Sequence, residues 1–254
     1  MNTETKRELD KIVRPFLEVT EGKYSTCSVM KPRDWCVTFA RSEKFLQLLY
    51  KWNLKHLIVI VPKDLGIGNC NFRTYPTDNV DLLFTLFHNY VNKDCQAIVD
   101  YISPSAVINP SVVFTEGLKV AVYKGEKIRF RHTGNIVIHD DVFIDANTVV
   151  HRARLDSTII QRNVSIGSLN NISHNTTIGE GSVITTNICI GGSTVIGKNV
   201  WIGVGAMIKN GLTICDDVVI GMGSIVIRDI DKPGIYIGNP AKFLKDYDSQ
   251  KAGL

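Results

Sequence analysis

The sequence predicts a mainly β protein: a stacked β-helix with a small α/β domain before it and a short helical tail after it. Three observations lead there. An isoleucine recurs at every sixth residue from Ile160 to Ile220, eleven in succession, and Val226 closes the series. Glycine follows the recurring residue at Gly167, Gly179, Gly191, Gly197, Gly203 and Gly221, and small or apolar residues precede it by two at Val164, Ser182, Ile188, Val200, Ala206 and Val218. The hexad is absent from the first hundred residues, whose pattern is of another kind. A period of six fits neither a helix nor a flat sheet, which would scatter the isoleucines over several faces. A solenoid of short strands and tight corners points every sixth residue inward and stacks them in columns. Glycine and asparagine beside the inward residue supply the permissive backbone that corners need.

The elements follow in chain order. Residues 1–100 read as a small α/β domain: an amphipathic start, the apolar segment WCVTFA (35–40), a helical pattern EKFLQLLYKW (43–52), a strand HLIVIV (56–61) and a helical pattern VDLLFTLFHNYV (80–91). Gly66 and Gly68 in DLGIGNC are followed by no phosphate-loop pattern and read as a turn. Residues 101–230 form the β-helix. Its first part, with Ile102, Ile108, Phe114, Ile138, Ile144 and Val150 inward, is offset by four from the main register. The break falls at HRARLDST (151–158), and an excursion covers about 121–135. Residues 231–254 form a C-terminal loop and short helix.

Composition narrows the functional classes. At 254 residues and 44% hydrophobic content the chain buries a substantial core. A net charge of +4 suits anionic small molecules and falls short of a nucleic-acid-binding face. The densest basic stretch, YKGEKIRFRH (123–132), is short. Six scattered cysteines without a C-x-x-C pair read as reduced thiols. The start MNTETKRELDK has no apolar leader and LIVIV (57–61) is too short to span a bilayer, so a cytoplasmic protein without membrane insertion is expected.

Within this structural repeat one residue is out of character. The segment NNISHNTTIGEG (170–181) places His174 at a corner. A neutral imidazole accepts a proton from an amine or hydroxyl near pH 7, which a filler residue cannot do. Cys189, just before inward Ile190 and without an adjacent base, is not expected to be a nucleophile.

The hexad resembles the left-handed parallel β-helix of the hexapeptide-repeat acyltransferases, in which three hexads make a triangular coil of eighteen residues. Those proteins are trimers with active sites between neighbouring prisms, so a homotrimer is implied. At eighteen per coil, Asp156, His174, Gly192 and Asn210 fall in one column, about 4.8 Å apart. Gly192 then offers an uncrowded N–H to an oxyanion, and Asp156 stands where it orients the ring. Residues 147–197 look like the central segment of the UDP-3-O-acylglucosamine N-acyltransferases of lipid A biosynthesis. The resemblance makes His174 the base that deprotonates the sugar amine, with its neighbour Asn175 at the substrate, and Gly192 the oxyanion donor. That family holds uracil between two aromatic residues six apart, and TFARSEKF offers Phe39 and Phe45 at that spacing, with Ser42 where the family has asparagine. Both rings being core is the alternative. The serine leaves UDP and dTDP nucleotides open.

Three departures point away from lipid A itself. Coils are missing between about 115 and 136, the family's second histidine falls at Gly211, and the tail is too brief for long C-terminal helices. GIYIGNPAKFLK (234–245) resembles acetyl-CoA-dependent members, which implies Lys242 and Asn210 near the coenzyme. The implied activity is an N-acyltransferase, without metal or covalent intermediate, moving an acyl group from acetyl-CoA, or another acyl-CoA or acyl carrier protein, to a nucleotide-linked amino sugar. Polysaccharide biosynthesis is the implied setting. The alternatives are O-acetylation of a sugar hydroxyl and a catalytically silent nucleotide-sugar-binding trimer. A zinc hydratase on the same solenoid needs a close histidine pair, and no two histidines lie closer than seven residues.

Overall fold

The computed structural model of the chain describes residues 3–68, 70–95 and 101–247. These divide into two compact units: the N-terminal elements together with Leu118–Arg131, and residues 101–117 with 132–247.

In the first unit the amphipathic start is α1 (Thr3–Thr20), which buries Leu9, Val13 and Phe16 at helical spacing. A parallel sheet follows in the order β1 (Ser25–Thr26), β2 (Cys36–Phe39), β3 (Leu57–Pro62) and β4 (Arg73–Thr77). β3 carries the apolar run and is buried from Leu57 to Val61, as a central parallel strand must be. β2 is crossed to β3 by α2 (Glu43–Leu49), which buries Leu46 and Leu49. Helix α3 (Val80–Val91) starts at Asn79, whose side chain accepts from Leu82 N–H at 2.9 Å. β1 and β4 were not legible in the sequence: one is two residues long, and the other carries Pro76 and little apolar content.

The excursion expected near 121–135 contains an antiparallel hairpin, Val120–Tyr123 against Glu126–Arg129. Side chains of α3 hold it within this unit. Asn89 donates to Arg129 O at 2.7 Å and accepts from Arg131 N–H at 2.9 Å. His88, fully buried, donates from Nε2 to Arg131 O at 2.8 Å, takes the Thr26 hydroxyl on Nδ1 at 2.7 Å and stacks on Phe130. Burial lowers its pKa to about 4.

The second unit is a parallel β-solenoid with three faces, as the hexad predicts. Ile178, Ile184 and Ile190 each point inward from a different face and pair with Ile196, Ile202 and Ile208 one coil on. All six are buried within a single core cluster. The early register is also confirmed, with Ile138 beside Ile102, Ile144 beside Ile108 and Val150 beside Phe114. Corners turn through left-handed residues, among them Asn163, Asn175, Asn187 and Asn199 at φ between 52° and 59°. Asparagine tolerates that conformation better than most side chains.

The slip of four residues has a physical form. Val150 pairs with Ile172, twenty-two residues on, whereas Ile160 pairs with Ile178 at eighteen. The four extra residues therefore bulge from the corner at 153–156.

Over 234–245, in the segment expected to hold a loop and short helix, the described residues form strands. Gly234–Ile237 joins the second face and pairs antiparallel with Lys242–Lys245. Pro233, Pro240 and β-branched Ile235 and Ile237 disfavour a helix there, and Ala241 N–H is held by Ile225 O at 2.8 Å. Residues 248–254 lie outside the described set.

Candidate active site

His174 sits at the corner between Asn171–Ile172 and Thr177–Ile178, half-buried with its ring outside the isoleucine columns. The corner turns at Asn175, φ 59°, and this geometry brings the asparagine side chain back along the bulged coil below. Asn175 Oδ1 accepts from Arg154 N–H at 2.9 Å, while its Nδ2 donates to Leu155 O at 2.5 Å. A main-chain N–H can only donate and a carbonyl can only accept, so the amide orientation is fixed. The same Oδ1 lies 3.2 Å from His174 Nδ1. That nitrogen therefore carries the proton and donates, which puts the lone pair on Nε2.

The ring is bounded above and below by glycine. A Cβ placed on Gly192 would lie 2.6 Å from Cε1, 2.7 Å from Nε2 and 3.0 Å from Nδ1 of His174. One placed on Gly117 would lie 3.3 Å from His174 Cδ2 and 2.6 Å from His132 Cε1. Neither glycine has a left-handed φ, so space rather than backbone conformation makes glycine necessary here. Around Gly192 the flanking N–H groups are used, Gly191 to Ile208 O at 2.9 Å and Ser193 to His174 O at 2.8 Å. The Gly192 N–H makes no backbone bond among the described residues. An imidazole with its lone pair beside an unengaged amide can take a proton from a nucleophile and donate to a developing oxyanion.

The other residues singled out in the sequence are placed as follows. Asp156 ends the four-residue bulge at φ 64°, and its main-chain carbonyl accepts from Asn135 N–H at 2.8 Å. The group on the ring's protonated nitrogen is Asn175, which takes the orienting position that the column assigned to Asp156. Asn210 is exposed one coil beyond Gly192, as the column requires, and Lys242 is exposed in the last strand. In the first unit Phe39 is half-buried, 4.7 Å from the Phe84 ring, with the Arg41 guanidinium 5.4 Å over its face. Phe45 is 40% exposed and so is not core. Ser42 is the N-cap of α2, and its hydroxyl makes no capping bond.

Two contacts of the ring were missed: Gly117 and His132, which meets His174 at 5.4 Å between ring centroids and 85° between planes. The sequence gives little signal for them, because His132 falls within the excursion expected at about 121–135 and Gly117 precedes it. His151 projects from the third face, with Nε2 3.0 Å from Asn171 Oδ1. All six cysteines are free thiols. Among the described residues no group of three histidine, cysteine or acidic side chains could hold a metal, and no helix is long and apolar enough to cross a membrane.

Residues 193–228 match the model of the bacterial transferase hexapeptide (six repeats). The UDP-3-O-acylglucosamine N-acyltransferase of Pseudoalteromonas translucida is 42% identical over 126 residues, 50% of this chain and 37% of that protein. The enzyme of the same name from Methylococcus capsulatus is 31% identical over 156 residues, 61% of this chain and 43% of that protein. The chain thus spans less than half the length of these curated relatives. Among solved structures, PerB from Caulobacter crescentus in complex with CoA and GDP-perosamine aligns at 18% identity and TM-score 0.33, over 82% of this chain and 96% of that one. A mutant of AntD, an N-acyltransferase from Bacillus cereus in complex with dTDP-4-amino-4,6-dideoxyglucose and coenzyme A, aligns at 15% identity and TM-score 0.44, over 57% of this chain and 82% of that one. These superpositions are too loose to bear on function.

Proposed function

Since the chain is a hexapeptide-repeat protein related in sequence to UDP-3-O-acylglucosamine N-acyltransferases, we propose that it is an N-acyltransferase acting on a nucleotide-linked amino sugar, with His174 as general base. The observation that carries the reading is the imidazole held against Gly192 with its lone pair on Nε2. A hexad filler has no use for a fixed tautomer, whereas a base does.

The reaction is a direct transfer. The sugar amine is a nucleophile only when it has lost its proton. As its nitrogen attacks the thioester carbonyl, His174 Nε2 takes that proton and becomes imidazolium, its positive charge shared with Nδ1–H and eased by Asn175 Oδ1. The carbonyl oxygen becomes an oxyanion and the Gly192 N–H donates to it. Collapse of the tetrahedral species breaks the C–S bond and releases the thiol, which recovers the proton. General-base assistance of this kind contributes about 10²–10⁴ in rate, and one oxyanion donor about 10²–10³.

The donor is an acyl-CoA, with acetyl-CoA the first choice because the closing segment GNPAK (238–242) resembles that of acetyl-CoA-dependent solenoid transferases. Lys242 and Asn210 are the residues offered to it. The nucleotide is held in the first unit by Phe39 and Phe45, with Ser42 at its edge. The exposure of Phe45 and the unengaged Ser42 hydroxyl support that role. The assembly is a homotrimer in the cytoplasm.

The test is a panel of UDP- and dTDP-linked amino sugars offered with acetyl-CoA, with a matched set of acyl carrier protein thioesters, scored by thiol release and by mass of the sugar product. One thiol released per N-acylated sugar supports the reading. Acylation of a hydroxyl, or binding without turnover across the panel, overturns it.

A further inference from the structure

We propose that His132 is a positioning residue for His174, holding the base upright between the two glycines; this rests on His174 being the base proposed above. The solenoid chain leaves for the hairpin after Gly117 and returns at His132. The two residues at those ends are the ones that touch the His174 ring from below. His132 is fully buried, which is unusual for a histidine. Its Nδ1 accepts from Gly117 N–H at 3.3 Å and lies 3.4 Å from Arg152 O. The bond from Gly117 ties the ring to the residue at the far end of the excursion, with Arg152 O of the next coil beside the same nitrogen.

A ring fixed in this way makes a wall. It stands at 85° to the His174 ring with centroids 5.4 Å apart, the arrangement in which aromatic rings pack edge to face. Asn175 engages the His174 ring through Nδ1. Gly192 bounds the upper side, and His132 with Gly117 bounds the lower. The three restraints together select one rotamer and keep Nε2 beside the Gly192 main chain. Removing the wall lets the ring sample positions about 1 Å away, and a displacement of that size costs on the order of 10²-fold in rate.

The experiment compares His132→Ala, His132→Phe and the parent in steady-state acyl transfer and in ¹⁵N-edited NMR of the histidine rings. The expected result is a fall in kcat of about 10–10²-fold for His132→Ala, with KM for both substrates within about threefold. His132→Phe, which keeps an aromatic wall, recovers most of kcat. In the NMR spectrum of the parent His174 shows the Nδ1–H form alone, and His132→Ala shows averaged Nδ1–H and Nε2–H signals. A folded His132→Ala protein with parental kcat and an unchanged His174 spectrum overturns the proposal. So does a loss in which kcat, KM and melting temperature all move together, which marks a purely structural residue. If the parent acylates no nucleotide amino sugar, the function reading fails, while the ring spectrum still decides whether His132 positions His174.

Discussion

Gly192→Ala puts the proposed geometry under the most direct strain. The backbone at Gly192 is not left-handed, so alanine meets no conformational penalty there. The added methyl would lie 2.6 to 3.0 Å from three atoms of the His174 ring, whereas ordinary contact begins at 3.4 Å. Either the ring or the coil must move by about 1 Å. The coil is the stiffer partner, because Ser193 N–H is bonded to His174 O and Gly211 N–H to Gly192 O. The ring therefore moves, straining its hydrogen bond to Asn175 and carrying Nε2 away from the amide. A misplacement of this size costs on the order of 10²-fold in kcat, or about 3 kcal/mol of transition-state stabilisation. The assay is thiol release at saturating sugar nucleotide and acyl-CoA, beside a thermal melt. The melt should stay within a few degrees of the parent, since no core contact is lost. A Gly192→Ala enzyme with parental kcat refutes the account of the site.

Further outcomes follow from the same contacts. Asn175→Ala removes the acceptor on Nδ1 and strips Arg154 N–H and Leu155 O of their partner, so kcat falls about 10-fold or more and the melting temperature drops; Asn175→Asp keeps the acceptor but loses the donor to Leu155 O, so the melting temperature drops there too while the added charge favours the imidazolium and moves the acid limb of the kcat profile to higher pH. His88 has a folded pKa of about 4 against 6.5 for the free side chain. Its folded value is depressed, so its contribution is fully present above pH 6.5 and is lost as pH falls from 6.5 towards 4, by up to about 3 kcal/mol; denaturant midpoints should decline over that window in the parent and stay flatter in His88→Gln. Phe45→Ala, at an exposed site, should weaken nucleotide binding by about 1–3 kcal/mol in calorimetry with little change in melting temperature. Ile184→Ala opens a cavity among the buried inward isoleucines and should cost about 2–5 kcal/mol in denaturant unfolding.

The solenoid was legible because its period is imposed residue by residue. Each inward isoleucine must meet its counterpart one coil on, so the hexad records the register directly, slip included. His174 stood out as the one imidazole at the corners of the main register, where equivalent positions carry Arg162, Ser168, Glu180 and Lys198 among others. Its surroundings were harder to read. Asn175 bonds main-chain groups of the bulge at 153–156, a contact that an eighteen-residue column, which places Asp156 beside His174, does not display. His132 and Gly117 lie far from His174 in sequence, and only the closing of the excursion brings them to its ring. In the first unit, α1, α3 and β3 announced themselves through apolar spacing. The two-residue β1 and the proline-bearing β4 draw their stability from pairing with neighbours and leave little pattern of their own. At the C-terminus, too few residues intervene between prolines for periodicity to distinguish strand from helix.

The measurement that bears most directly on the central claim is a paired one on His174→Ala: acyl transfer to a nucleotide amino sugar by thiol release, and affinity for the same sugar nucleotide by calorimetry. Loss of turnover by about 10²-fold or more with affinity retained is the predicted result. Turnover that survives the substitution, or affinity that vanishes with it, contradicts a base at this corner.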